Sequence, residues 1–393
     1  MVNFGFAGCY TEPRQADPFQ ESLGGVPHDD SMIGNGVFAI RLSSEGTLSI
    51  LNDEVPVVPA EKLPNPSYLA IVGQRHLCVV SEGDVHGKLF VFSFDPGNPI
   101  KVSQVGPSME SGGSYPCHVI HIPTATDEIH IFVSNYGRDQ EKAGVSMFSL
   151  DFDAGASLVQ KFGIAGQGSR GDIERQLGSH THSCAGCPYI AGEIFTADLG
   201  SDSIIKFELN AGEMKEIGRL AAPRGSGPRS IVFQNQSALG GDIIGVVSLE
   251  MNASIMLVRR RSHDGCLEAL GSPISILPNG WPENGNEMSK FNFGRWASDI
   301  VWSNNDRFIF AAARLHNSIS VFEVVGESLR FICRIPTNGL TPRCLSVSPS
   351  GEFLLICHQH SHDISSFKID ENVGNLTFIN KIEVPCAACV KLY

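Results

Sequence analysis

The chain has 393 residues, with 42 acidic and 29 basic side chains and a formal net charge of −13. Nothing in that balance would neutralise a run of phosphates, which argues against a nucleic-acid partner. No apolar stretch reaches the ~20 residues that span a bilayer, which argues against a membrane one. The N-terminus, MVNFGFAGCYTEP, lacks a basic n-region and an apolar h-region, and eleven cysteines lie scattered in apolar runs. Both features point to a reduced, cytoplasmic protein rather than a secreted disulfide framework.

Short apolar runs separated by Gly, Pro and Asn dominate, and strong helical periodicity is missing. In chain order, the N-terminus supplies three strands: FGFAGCYT, VFAIRLS and LSILNDE. A four-strand phrase then starts at Asn65 (NPSYLAIV), at Tyr115 (YPCHVIHI), near His182, at Pro228 (PRSIVFQ) and at Trp296 (WASDIVWS). The last copy is the clearest: RCLSVS from Arg343, a PSG turn, then FLLICHQ, ISSFKID and LTFINKIEV. One strand, ACVKLY, is left over at the C-terminus. Three strands plus one complete a seventh unit, and closing a ring shelters the edges that a linear array exposes. The prediction is an all-β fold: one seven-bladed β-propeller over residues 1–393, four antiparallel strands per blade, the last blade closed by both termini.

Blade order predicts a site. With strands lettered A to D from the axis outward, every A-start and every B-end falls at one mouth of the central channel. A-starts bring Ser67, His118, His180, His182, Arg229 and Arg343 there; B-ends bring Glu82, Asn135, Asp198, Glu250, Arg314 and the run His358, His360, His362. Three long loops, residues 11–35, 166–179 and 277–295, belong to the same mouth. Long loops in compact domains usually carry function. Phe19, Trp281, Phe291, Phe293 and Trp296 form either an apolar pocket wall or an exposed interaction patch.

The phrases NPSYLA, YPCHV, VSNYG, HTHS, ADLGSD, GPRS, AARLHNSISVFEV and TPRCLSVSPSGEFLL, in that order, resemble the seven-bladed lactonase family. That family includes propeller-type 6-phosphogluconolactonases and the 3-carboxy-cis,cis-muconate lactonising enzyme. The resemblance implies a catalytic His, Arg, Glu and Arg in the mouth, matching His180 or His182, Arg229, Glu250 and Arg314. Ser67, Glu82, His118, Asn135, Trp281, Phe293, Trp296, Arg343, His358 and His360 are then expected to bind substrate. Two departures stand out: Ser230 replaces the His of the family's GPRH, and HQHSHD replaces an Asn-Gln pattern.

Ring closure onto an activated double bond, or opening of a lactone, places negative charge on an oxygen. Guanidinium groups stabilise such charge and clamp carboxylates in bidentate fashion. A His takes or gives the proton, and a Glu beside two Arg either orients one of them or acts as base. No cofactor or metal is expected. The aromatic loops favour a cyclase or lactonising isomerase, of muconate type or recruited to specialised metabolism, acting on a small anionic molecule. Hydrolysis of a sugar lactone and a non-catalytic binding module are the alternatives.

Each residue also has a structural reading. Arg229, Arg314 and Glu250 could form ion pairs between blades, and His180 with His182 a hydrogen-bonded rim pair. Asp198 in ADLGSD reads as a turn that satisfies its own backbone. Cys184–Cys187 and Cys386–Cys389 are C-x-x-C pairs separated by about half of the chain, a poor zinc framework. Composition leaves the oligomeric state open.

Overall fold

The computed structural model describes residues 2–11, 33–83, 87–124, 128–137, 143–164, 168–172, 175–188, 190–235, 241–281 and 296–393. These residues form seven antiparallel sheets. Six are built from consecutive strands, running A to D from Pro66–Val72, Pro116–His121, Thr181–Cys187, Pro228–Phe233, Ala297–Trp302 and Pro342–Val347. The seventh takes Ala387–Leu392 as its inner strand, paired to Asn3–Cys9, with Gly36–Leu42 and Leu48–Ile50 outside. The three-plus-one closure is therefore present, with Gly5 opposite Leu392 and Gly8 opposite Cys389.

Alternation within each strand explains why the sheets stack as blades. A strand such as Phe353–His358 is buried on both faces, so it reads as a continuous apolar run, whereas outer strands such as Leu376–Glu383 alternate. Side chains of adjacent blades interdigitate: Phe308, Phe310 and Ile319 pack against Leu354, Ile356 and Phe367. Across the ring closure Phe6, Val37, Leu69, Leu355 and Val390 share one cluster. Gly8 marks a close approach to the next blade, because a Cβ on it would lie 2.4 Å from the Pro66 carbonyl oxygen.

The inner strands share one irregularity that the sequence reading did not contain. Each breaks register near its start: at Pro66/Tyr68, Pro116/His118, Thr181/Ser183, Pro228/Ser230, Ala297/Ile300 and Pro342/Cys344, and opposite Gly8/Cys9 in the closing blade. A bulge adds a residue, raises local twist and re-aims side chains. The residues in the bulges include Ser67, Cys117, His182, Arg229, Ser298, Arg343 and Ala388. Short ones tie blade to blade: Ser67 Oγ donates to the Pro116 carbonyl (3.2 Å) and Ser298 Oγ to that of Pro342 (2.6 Å). Long ones, His182, Arg229 and Arg343, reach the channel instead.

Candidate active site

The channel holds a cavity of about 340 Å³, near the lower end of the ~300–1,000 Å³ usual for small-molecule sites. His182, Arg229 and Arg343 line its upper level, and Tyr68, His118, Ser230 and Asp299 the next.

Glu250, on a short 3₁₀ turn after Ile243–Leu249, is the hub of the mouth. It is 1% exposed, and its carboxylate lies 2.7 Å from Arg175 Nη1, 2.8 Å from Arg229 Nε and 3.8 Å from Arg314 Nη2. Burial opposes its ionisation, yet Arg175, Arg314 and Arg229 hold it well below the usual carboxylate range. It is thus a fixed anion that positions arginines, which removes the option of a base. Arg314 does not line the cavity; burial brings it down to about 9, still charged at neutral pH, and its guanidinium lies 5.8 Å from the Trp296 ring centroid. Arg175 lies 5.3 Å from the same ring, and its Nη2 donates to Tyr136 Oη (3.2 Å).

The two histidines of HTHS divide. His180 stacks on Tyr136 with centroids 4.4 Å apart, and its Nδ1 is 3.0 Å from the carbonyls of both Tyr136 and Gly137. It braces the loop and does not line the cavity. His182 meets Tyr136 edge-on and lines the cavity; burial, then the Arg229 charge, hold it well below the ordinary imidazole value, so it is neutral. Asp198 accepts from His180 N–H (2.7 Å), Ser179 Oγ (2.8 Å), Gly200 N–H (3.1 Å) and Ser201 Oγ (2.6 Å), organising the turn beneath both histidines.

On the opposite side, Glu82 accepts from Tyr10 Oη (2.8 Å) and lies 3.9 Å from Arg343, whose guanidinium covers the Tyr10 ring and donates to the same hydroxyl. Below, His118 packs on Tyr68 (4.4 Å), and burial, with the Lys391 charge, pushes it down to about 3. Ser230, the residue that departs from the family pattern, donates to Asp299 Oδ1 (3.3 Å). Burial raises Asp299 to about 6.

Several expected ligand-binding residues lie elsewhere. Ser67 and Asn135, each 1% exposed, are consumed in the scaffold: Asn135 accepts from Ser111 Oγ (2.7 Å) and donates to the Ser111 carbonyl and Ser146 Oγ (both 3.2 Å). His358 is fully buried against Gly339 with Nδ1 2.7 Å from Asp363 Oδ1. His360 pairs with Thr341 Oγ1 (2.7 Å), and His362 Nδ1 accepts from Cys386 N–H (3.0 Å). Their B-end position satisfies local turns before it can serve the channel. Trp281 meets His316 edge-on, and Trp296 lies beside two arginines, so neither walls the cavity. Phe19, Phe291 and Phe293, and most of loops 11–35 and 277–295, lie outside the described residues.

Among the described residues no group of three or more His, Cys, Asp or Glu is placed to hold a metal. The C-x-x-C pairs part company: Cys184 Sγ contacts Ser134 and Thr196 hydroxyls (both 3.1 Å), and Cys389 faces Cys344 at 3.7 Å. Sequence reasoning missed Arg175, Tyr136, Tyr10, Tyr68, Asp299 and Lys391. Arg175 carried a signal as a cation inside a loop already singled out by its length, and Tyr68 and Tyr136 sat in the phrases NPSYLA and VSNYG.

A family description, the seven-bladed β-propeller lactonase, matches residues 31–392. A 6-phosphogluconolactonase of Bacillus subtilis is 27% identical over 338 residues, covering 84% of this chain and 88% of the relative. Among solved structures, the periplasmic gluconolactonase of Pseudomonas aeruginosa superposes with a TM-score of 0.79 at 23% identity, covering 100% of this chain and 99% of that one. A protein from Lactobacillus plantarum superposes with a TM-score of 0.80 at 20% identity over the full length of both chains.

Proposed function

The chain belongs to the seven-bladed β-propeller lactonase family, and from that premise we propose that it hydrolyses the lactone ring of a small anionic sugar-acid lactone in the channel mouth. The observation that carries this reading is the placement of neutral His182 in one cavity with Arg229 and Arg343. Water adds to the lactone carbonyl as His182 takes its proton. The negative charge that develops on the carbonyl oxygen falls to Arg229, already oriented by Glu250 through Nε. The ring C–O bond then breaks, the departing oxygen receives a proton, and a hydroxy-carboxylate leaves. Arg343, braced by Glu82 and Tyr10, is the partner cation for the anionic substrate.

The cyclisation expected from the aromatic loops loses its support, because Trp281 and Trp296 do not wall the cavity. The cavity lining sets His182, Arg229, Arg343, Ser230 and Asp299 among apolar side chains such as Ile231, Phe233 and Trp302, and these polar groups can hold the water that hydrolysis needs. The test is pH-stat titration of a gluconic δ-lactone and its 6-phosphate, with and without protein, in H₂¹⁸O. Catalysed acid release with one solvent oxygen in the product is expected. Rates equal to spontaneous hydrolysis, with tight binding of the sugar acid, would leave a binding module instead. Turnover only of an unsaturated acid into a lactone would restore the cyclase.

A further inference from the structure

Lys391 is the penultimate residue of the closing strand, Ala387–Leu392, and lines the cavity. Its Nζ donates to Tyr68 Oη (3.2 Å) and sits 5.0 Å from the Tyr68 ring centroid. That hydroxyl is its one polar partner among the described residues, although an ammonium carries three donors. The nearby carboxylate does not complete it: Asp299 spends its oxygens on Ser230 Oγ and on the N–H groups of Ile300 and Leu345. The arginines above are different, since Arg175, Arg229 and Arg314 face Glu250 and Arg343 faces Glu82. In a chain of net charge −13, a cation held in the channel without a carboxylate partner calls for an anion from outside.

Its depth says which part of a ligand it meets. Ala388 shares the bulge level of Arg229 and Arg343, the Lys391 backbone is three residues further along, about 10 Å by strand rise, and its ammonium lies at the Tyr68 hydroxyl, below that level. We infer that Lys391 is the specificity residue for this chain: it binds a second anionic group, a phosphate or carboxylate remote from the lactone carbonyl, while His182 and Arg229 hold the carbonyl end. This rests on the lactone-hydrolase reading for its substrate. Tyr68 acts as a positioning residue, orienting the ammonium through its hydroxyl.

The test compares wild-type protein with Lys391→Met, Lys391→Arg and Tyr68→Phe on gluconic δ-lactone and its 6-phosphate. Lys391→Met should lower the ratio of kcat/KM, phosphorylated over neutral, by about 10- to 100-fold, through KM rather than kcat. Lys391→Arg should retain most of the ratio, and Tyr68→Phe should lower it several-fold, about 3- to 5-fold. An unchanged ratio in a folded Lys391→Met protein overturns the inference. Should the wild type hydrolyse neither lactone, the enzymatic reading fails and calorimetry decides separately, with 6-phosphogluconate and gluconate as probes. A preference for the phosphorylated acid that Lys391→Met abolishes supports the inference; equal affinities in wild type overturn it. Should Lys391→Met fail to fold, Tyr68→Phe alone decides: a ratio or preference equal to wild type overturns the inference.

Discussion

The Glu250 carboxylate lies 2.8 Å from Arg229 Nε, and the two come from a B-end and an A-start of the same blade. Arg229 is thereby held across its side, with its terminal nitrogens directed by a neighbour that is itself 1% exposed. Arg175 and Arg314 converge on the same carboxylate from other elements. Glu250→Gln strips the charge from this hub and leaves three guanidiniums facing one another. Breaking a buried ion pair by removing one partner costs about 3–5 kcal/mol. Chemical denaturation should show a loss of that order, together with a large fall in kcat/KM. A loss below ~1 kcal/mol would mean that water, rather than Glu250, compensates the arginines.

The paired histidines should separate in their responses. His182→Asn should lower kcat by about 10²- to 10⁴-fold, the usual worth of a positioned acid or base, with little change in melting temperature. His180→Asn should do the reverse: removal of its hydrogen bonds to the Tyr136 and Gly137 carbonyls costs about 1–3 kcal/mol of stability. Matching the two variants by melting curve and single-turnover rate checks this. Equal kinetic losses would return His180 to the catalytic set.

Mild acid should destabilise the fold through His118. Burial and the Lys391 charge lower His118 from the ordinary 6.5 to about 3 in the folded state. Between those values the unfolded chain takes up a proton that the folded chain refuses, so stability falls as pH drops below about 6.5 and the loss is complete near 3. A full shift would cost about 2 kcal/mol at pH 5. His118 is only partly buried and faces the channel, so about 1 kcal/mol is the expected figure. His118→Gln should flatten the stability curve between pH 6.5 and 4.5 by that amount, measured by urea unfolding at each pH.

Deleting residues 387–393 should abolish soluble folded protein. It exposes the Asn3–Cys9 edge and removes Val390, fully buried in the closure cluster and alone worth about 1.5–3 kcal/mol. The readout is the fraction of protein remaining in the supernatant and its melting transition. A soluble, cooperatively melting truncation would show that the ring closes without its inner strand.

The repeat was legible from sequence because strand patterning is local. Apolar runs such as FLLICHQ and the turns beside them recur in the same order from blade to blade, and the leftover ACVKLY pairs with FGFAGCYT by simple count. Residue types in the mouth were legible for the same reason, since A-starts and B-ends are positions within a blade, and His182, Arg229, Glu250 and Arg343 do meet there. What each side chain touches was decided by contacts between strands far apart in sequence. Ser67 and Asn135 sit at the expected level but bond sideways to the scaffold. His358 turns into its own hairpin toward Asp363. Arg175 comes 75 positions before the carboxylate it pairs with, and Lys391 reaches Tyr68 across 323. The bulge at the head of every inner strand, which selects His182 and Arg229 for the channel, depends on the register of neighbouring strands. A one-residue slip in pairing reverses the face a side chain takes, so only the closed ring determines which polar residues line the cavity and which hold the blades together.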